Sequence, residues 1–340
     1  MKRMILLLFC LLLLTSCSHT YLERQVYPLC LSVDLTPDGR YEIGLQAPKS
    51  STGENAAYDI LTGTGDTPED ALRVLAASTP YPLHFSQIRL CLIAYDLAAT
   101  EPLRPLLRVL FELPGMRPNA QVMAAIGNAQ EVMKAQKPDF DQRLSTHLNI
   151  LFERLRREQT MPASTLSSCV RELGDGRSDL LLALCAVNPS LVSSQEKPAF
   201  AVGEPWSDQL LPANEIAGLL SRTGPNPVEY AGSAAVSDGR VSGMLTAEET
   251  QLCVRVLAEA KRRVAWADGR LQLQVIVKAG NALHGEEGRI AAVIGKLQAL
   301  RSDPLLFGCE ASQRCRTDAE WERLRFREQY PQAGVEVRVE

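Results

Sequence analysis

Cys17 is the residue whose setting most clearly implies covalent chemistry in this 340-residue chain. It closes the run Leu14-Thr15-Ser16-Cys17, an apolar residue and two small ones ahead of a thiol. That pattern resembles a lipobox, in which the cysteine takes a lipid and the chain is cut just before it. Lys2 and Arg3 precede an apolar run from Ile5 to Leu14. This run is too short to span a bilayer, which takes ~20 apolar residues, but it has the layout of an export signal. The mature chain would then start at a diacylated Cys17, and two acyl chains anchor stably where one does not.

The other thiols read differently. Cys10 leaves with the signal. Of Cys30, Cys91, Cys169, Cys185, Cys253, Cys309 and Cys315, most lie in apolar runs, where cysteine behaves as a small buried hydrophobe. Cys309 and Cys315 are close in sequence and sit in a polar, loop-like setting. They are the pair that could form a disulfide in an oxidising compartment.

Signatures of catalysis are missing. There is no G-x-S-x-G, G-x-x-x-x-G-K, H-E-x-x-H or C-x-x-C. Gly63-Thr64-Gly65 lacks the third glycine of a dinucleotide turn. His19, His84, His147 and His284 have no ligand spacing. His147, beside Leu148, reads as structural, and His84 and His284 read as solvated residues next to turns. Glu286-Glu287 and Asp238 fit helix-start and turn roles. Trp206 reads as a small packing contact, and the arginines of Trp321 to Arg327 as a solvated helix face. No catalytic residue, metal site or cofactor is implied. The net charge of −4 makes nucleic acid an unfitting partner.

The elements that must position these residues follow from periodicity. Leu31, Val33 and Leu35 alternate, as do Tyr41, Ile43 and Leu45, around Pro37-Asp38-Gly39, which predicts a β-hairpin. Residues 48–66 read as a loop. Thr67-Pro68-Glu69-Asp70 opens a helix with Leu72, Leu75 and Ala76 on its apolar stripe. Short apolar runs at 88–94, 122–126 and 180–187 fit buried strands. Helical spacing covers 103–113, 141–157 and 163–173, the last stopped by Gly174-Asp175-Gly176. Residues 188–227 lose periodicity and read as a linker or irregular connection. A second hairpin comes next, around Asp238-Gly239-Arg240, then a capping box at Thr246–Glu249. An alternating strand from Leu271 to Val277, a helix over 286–300, a second capping box at Thr317–Glu320 and a closing strand over 335–339 complete the pattern.

Strands and helices mix without regular βαβ repetition, so the expected fold class is α+β with mixed sheets in more than one domain. The expected organisation is a signal at 1–16, a lipidated tether at 17–25, an N-terminal domain at 26–187, the connection at 188–227, and a C-terminal domain at 228–340.

The order of segments resembles the Ger(x)C family, the C-subunit lipoproteins of spore germinant receptors, over nearly the whole chain. The resemblance rests on the lipobox at Cys17, then Leu31-Ser32-Val33-Asp34 followed by Asp38 to Ile43. It continues in Phe85-Ser86 running into an apolar strand, and in Pro114-Gly115-Met116-Arg117-Pro118-Asn119 ahead of Val122. The most specific match is Ala231 to Arg240 with Gly243-Met244-Leu245 and Glu249-Thr250. The tail adds Gln298, Asp303, Phe307-Gly308, Trp321 and Tyr330-Pro331. The chain departs from the pattern at Ala94-Tyr95, where a Gly-Glu pair is usual, and at Tyr21, where a Trp is common. The resemblance implies a non-catalytic scaffold or docking subunit, lipid-anchored on the outer face of the spore inner membrane. It would work there with two integral-membrane subunits, A and B. A solute-binding lipoprotein of a membrane transporter is the alternative reading, although the repeated βα units of that class are not visible.

Overall fold

The first hairpin forms as its alternation predicts. β1 (Cys30–Leu35) and β2 (Tyr41–Pro48) are antiparallel, with Leu35 opposite Tyr41. The computed structural model describes residues 24–48, 58–137, 143–187, 226–267 and 270–340, so the lipobox and Trp206 lie outside the described residues.

Residues 48–66 are not simply a loop. They contain β3 (Tyr58–Gly65), paired antiparallel to β2. Its small residues hide it in the sequence and explain its place in the fold. Helix α1 (Pro68–Ser78) crosses β3 so closely that a Cβ on Gly63 would collide with the Ala71 carbonyl oxygen. A Cβ on Gly65 would lie 2.5 Å from the Ala71 nitrogen. The Gly63-Thr64-Gly65 segment is thus a packing surface for α1. Thr67 Oγ1 accepts a hydrogen bond from Asp70 N at 3.1 Å, capping α1 as expected. The helix buries Ala71 in place of Ala76, alongside Leu72 and Leu75.

Three continuous apolar runs become parallel strands buried at every position but Ala186, which is why they lack alternation. β4 (Leu90–Ala94), β5 (Gln121–Ala125) and β6 (Leu181–Val187) extend the sheet from β1. The crossovers between them are unequal. The first contains α2 (Tyr95–Thr100) and α3 (Leu103–Phe111). The second contains α4 (Ala129–Ala135), α5 (Leu144–Arg157) and α6 (Leu166–Asp175), which ends at Gly176 with φ +67°.

The second hairpin, β7 (Val228–Ser237) and β8 (Arg240–Leu245), turns at Asp238 and Gly239, both with positive φ. It is hydrogen-bonded onto β6, with Leu181 opposite Ala235 and Val187 opposite Val228. Residues 188–225 therefore connect two neighbouring strands. The finished sheet has the order β3-β2-β1-β4-β5-β6-β7-β8, with a parallel centre and antiparallel edges.

A smaller sheet comes after it, in the order β11-β10-β9, built from β9 (Lys261–Ala267), β10 (Arg270–Val277) and β11 (Gly334–Val339). The same segment holds helices α7 (Ala247–Glu259), α8 (Glu287–Ala299), α9 (Phe307–Ser312), α10 (Asp318–Leu324) and α11 (Phe326–Gln329), of which α8 packs on β11 and α9 on β9. The Thr246–Glu249 capping box closes fully, with bonds of 3.1 and 2.7 Å. At Thr317 only half forms. Thr317 Oγ1 caps Glu320 N, while the Glu320 carboxylate accepts from Arg316 N.

Two hydrophobic cores result, and they share a wall. The period-2 alternation of β6 and β7 sends Leu182, Ala234 and Val236 into the core of the large sheet. Leu181 and Ala235 go to the core of the C-terminal segment, with Leu245 of β8 beside them. Mixed sheets with packed helices make this an α+β fold, as the sequence predicts.

Candidate functional site

Residues singled out along the tail come together in one knot. After α8, the chain reaches Asp303, which is buried. Its carboxylate oxygens accept hydrogen bonds from Phe307 N at 3.1 Å and Gly308 N at 2.6 Å, opening α9. Gln298 donates through Nε2 to the carbonyls of Tyr330 and Ala333, both at 2.8 Å. Tyr330 donates its hydroxyl to Ser302 O at 2.9 Å. Trp321 stacks on Phe326, and Phe326 packs on Tyr330, each pair with ring centroids 5.7 Å apart. Gly308 lies so near the Arg177 carbonyl that a Cβ there would collide with it.

This knot grips the loop between α6 and β6. Asp303 N donates to Asp179 Oδ2 at 2.9 Å, and Asp179 N donates back to Asp303 O at 3.1 Å. Arg327 donates to both Asp179 oxygens at 3.1–3.2 Å, and to the carbonyls of Gly176 and Ser178. Asp179 is buried, so this fork supplies the charge it needs. Burial pushes the Asp303 carboxyl up to about 8. The Gly308 and Phe307 N–H groups oppose the rise, Asp179 adds to it and Arg327 counters it. A cleft of about 400 Å³ opens beside the grip, lined by Arg104, Leu173, Asp179, Asp238 and Arg327 among others.

A second meeting place joins two early motifs. Phe85 N donates to Pro114 O at 3.2 Å, and Arg117 Nε donates to Ser86 O. The Phe85-Ser86 run and the Pro114 to Arg117 run are thus tied just ahead of β4 and β5. His84 is half-buried there instead of solvated. Its Nδ1 is 2.9 Å from Ser86 Oγ, its ring lies 5.5 Å from that of Tyr27, and Gly115 leaves the space that the ring fills.

Asp34, from the Leu31–Asp34 motif, is a further buried acid. Its oxygens accept from Ala129 N at 2.6 Å and Gln130 N at 3.0 Å, so a residue of β1 caps α4. Burial raises its carboxyl to about 6 against the pull of those two bonds. His147 is 3.3 Å from Asn226 Nδ2, in a structural role as expected. Cys309 and Cys315 are free, half-buried thiols, and the other five described cysteines are buried. Among the described residues no group of His, Cys, Asp and Glu is placed to hold a metal ion, and no helix is long and apolar enough to cross a membrane.

A family model described as the spore germination protein N-terminal domain matches residues 18–187, half of the chain. The chain belongs to the GerAC-like family of spore germination proteins. The matched stretch starts one residue after Cys17 and ends with β6. Among solved structures, the chain is similar to one described as the crystal structure of the GerBC protein. The two share 14% identity with a TM-score of 0.49, over 91% of this chain and 95% of that one. No curated protein matches the chain.

Within this GerAC-like chain, sequence reasoning missed α4 and the grip of Arg327 on Asp179. The first had a legible signal. Asn128 caps α4 through Glu131 N, and Asn-x-x-Glu is a helix-start pattern. The second had none, because its partners are 148 residues apart.

Proposed function

We propose that this GerAC-like protein is the lipid-anchored C subunit of a nutrient germinant receptor, with no catalytic role of its own. It would be held by Cys17 on the outer face of the spore inner membrane, where it serves as a scaffold or docking subunit for the integral-membrane A and B subunits. The observation that carries this reading is the family match beginning at residue 18, directly after the Leu14–Cys17 lipobox. Membership of a spore germination family gives the process, and the lipobox gives the means of holding the chain at a membrane. The buried acids support a non-catalytic role. Asp34 and Asp303 spend their oxygens on backbone N–H groups, and Asp179 on Arg327 and Asp303 N, so each has a structural task.

The test is a Cys17→Ala chain produced in a spore former in place of the native one. The expected outcome is loss of fatty-acid labelling, release from the membrane fraction and a weakened nutrient response. A Cys17→Ala chain that stays membrane-bound and supports germination overturns the reading.

A further inference from the structure

The chain enters the fold at one particular place. Val26 N donates to Pro82 O at 3.0 Å, and His84 N donates to Val26 O at 2.9 Å. Val26 is nine residues beyond Cys17, a span of at most ~30 Å even when extended. Val26 lies at the edge where the parallel strands begin. Arg89 N, just ahead of β4, bonds Leu29 O, just ahead of β1, and Gln121 N at the start of β5 bonds Arg89 O, both at 2.9 Å.

That edge has an unusual surface. Large hydrophobic side chains exposed among the described residues are Val74, Tyr81, Phe111, Ile150 and Val339. Tyr81 is 46% exposed and adjoins Pro82, the partner of Val26. Phe111, 39% exposed, ends α3 three residues before Pro114, the partner of Phe85. Val74, 48% exposed, is on α1, which packs against α3. Arg89 and Arg117, both half-buried, stand at the same edge, near enough for the Arg117 charge to be felt at Arg89. Neither has a carboxylate partner among the described residues. Exposed aromatics on an edge that also carries two cations suit the head-group layer of an anionic bilayer.

We infer that the amino-terminal edge of the parallel strands is the membrane-facing surface of the folded body, with Tyr81 and Phe111 seated in the head groups and Arg89 and Arg117 facing anionic lipid. This rests on the anchor at Cys17 proposed above and adds the orientation of the body on it. The tether emerges within the patch, so the anchor draws this edge toward the lipid before any other. The turn at Arg40 marks the opposite edge, at the far end of six-residue β1, about 20 Å away.

The test uses the mature, acylated chain in vesicles of phosphatidylcholine with phosphatidylglycerol, part of the lipid brominated. Tyr81→Trp, Phe111→Trp and Arg40→Trp each add one tryptophan at an exposed position to the native three. Flotation reports attachment, and quenching of the added fluorescence reports depth. The expected result is flotation of all three, with about twofold or greater excess quenching at 81 and 111 over 40, because interfacial side chains sit ~5–10 Å into the boundary layer. Chains that float with equal quenching at all three positions, or more at 40, overturn the orientation while leaving the anchor intact. Chains that do not float overturn the anchor reading, and the orientation falls with it.

Discussion

Asp179 and Asp303 stand 124 residues apart in the chain and bind each other through paired hydrogen bonds. The Asp303 N–H meets the Asp179 carboxylate, and the Asp179 N–H meets the Asp303 carbonyl. Two acids can sit this close because their carboxyl groups point to different donors and burial raises that of Asp303 to about 8, so it holds its proton. Asp179 takes the Arg327 fork, and Asp303 takes the first N–H groups of α9. The contact between the loop ahead of β6 and the C-terminal segment is therefore polar, and Asp179 takes its counter-charge there from Arg327.

Removing that cation should be costly. Arg327→Ala leaves Asp179 buried with no counter-charge, and a loss of roughly 3 kcal/mol is expected from breaking such a pair. Arg327→Lys should recover only part of it, because an ammonium cannot hold two carboxylate oxygens and two carbonyls in one plane. Urea denaturation of the three chains checks both. A Lys variant as stable as the native chain would show that the fork geometry is irrelevant.

The buried acids set a pH dependence. An unfolded Asp titrates near ~4. Folded, Asp34 is raised to about 6 and Asp303 to about 8, so between these limits the folded chain binds protons that the unfolded chain has lost. Stability contributed by the protonated forms is fully present below ~4 and lost as pH rises through each folded value. The melting temperature should therefore be higher at pH 5 than at pH 8. Asp303→Asn, which cannot ionise, should narrow that difference while lowering stability overall. Melting curves for the variant that keep the native pH slope would exclude Asp303 as its source.

Two glycines in regular elements should respond with opposite signs. Gly63→Ala puts a methyl group into the Ala71 backbone and should cost about 1–3 kcal/mol. Gly295→Ala, within α8, meets nothing within 4 Å and should stabilise the fold by up to ~1 kcal/mol through helix propensity. Denaturation midpoints give both values.

Thiol labelling should split the cysteines. Cys309 and Cys315 are half-buried, while Cys30, Cys91, Cys169, Cys185 and Cys253 are buried, and burial pushes the thiols of these five up. A maleimide added to the reduced, folded protein should modify the first two within minutes and the others only on unfolding. Peptide mass spectrometry reads the order. Protection of Cys309 and Cys315 in the folded protein before reduction, lost once a reductant is added, would identify a disulfide between them.

The sequence carried the elements with a strong local code. Alternation around Pro37-Asp38-Gly39 and the reciprocal box at Thr246 and Glu249 both appear as expected. β3 is hidden because its period-2 code is broken where Gly63 and Gly65 make room for α1. The tail motif named the right residues, Gln298, Asp303, Phe307, Gly308, Trp321 and Tyr330, but not their common purpose. Their purpose depends on Asp179 and Arg327, whose pairing leaves no trace in local spacing. Chain order places the hairpin after residue 227 with the C-terminal segment, whereas its strand pairing joins it to β6 of the large sheet. Alternating Leu181 and Leu182 or Ala234 and Ala235 are equally apolar, so nothing in their types shows that they serve two cores.

The shared wall of β6 and β7 also bears on what happens while the chain is incomplete. A polypeptide released at residue 187 would hold β6 with no strand on one side, its N–H and C=O groups bare along a strand of Leu, Ala, Cys and Val. Such an edge is a template for pairing with another molecule. Newly made chains must therefore deliver residues 228–245 promptly, or self-association through this edge competes with folding.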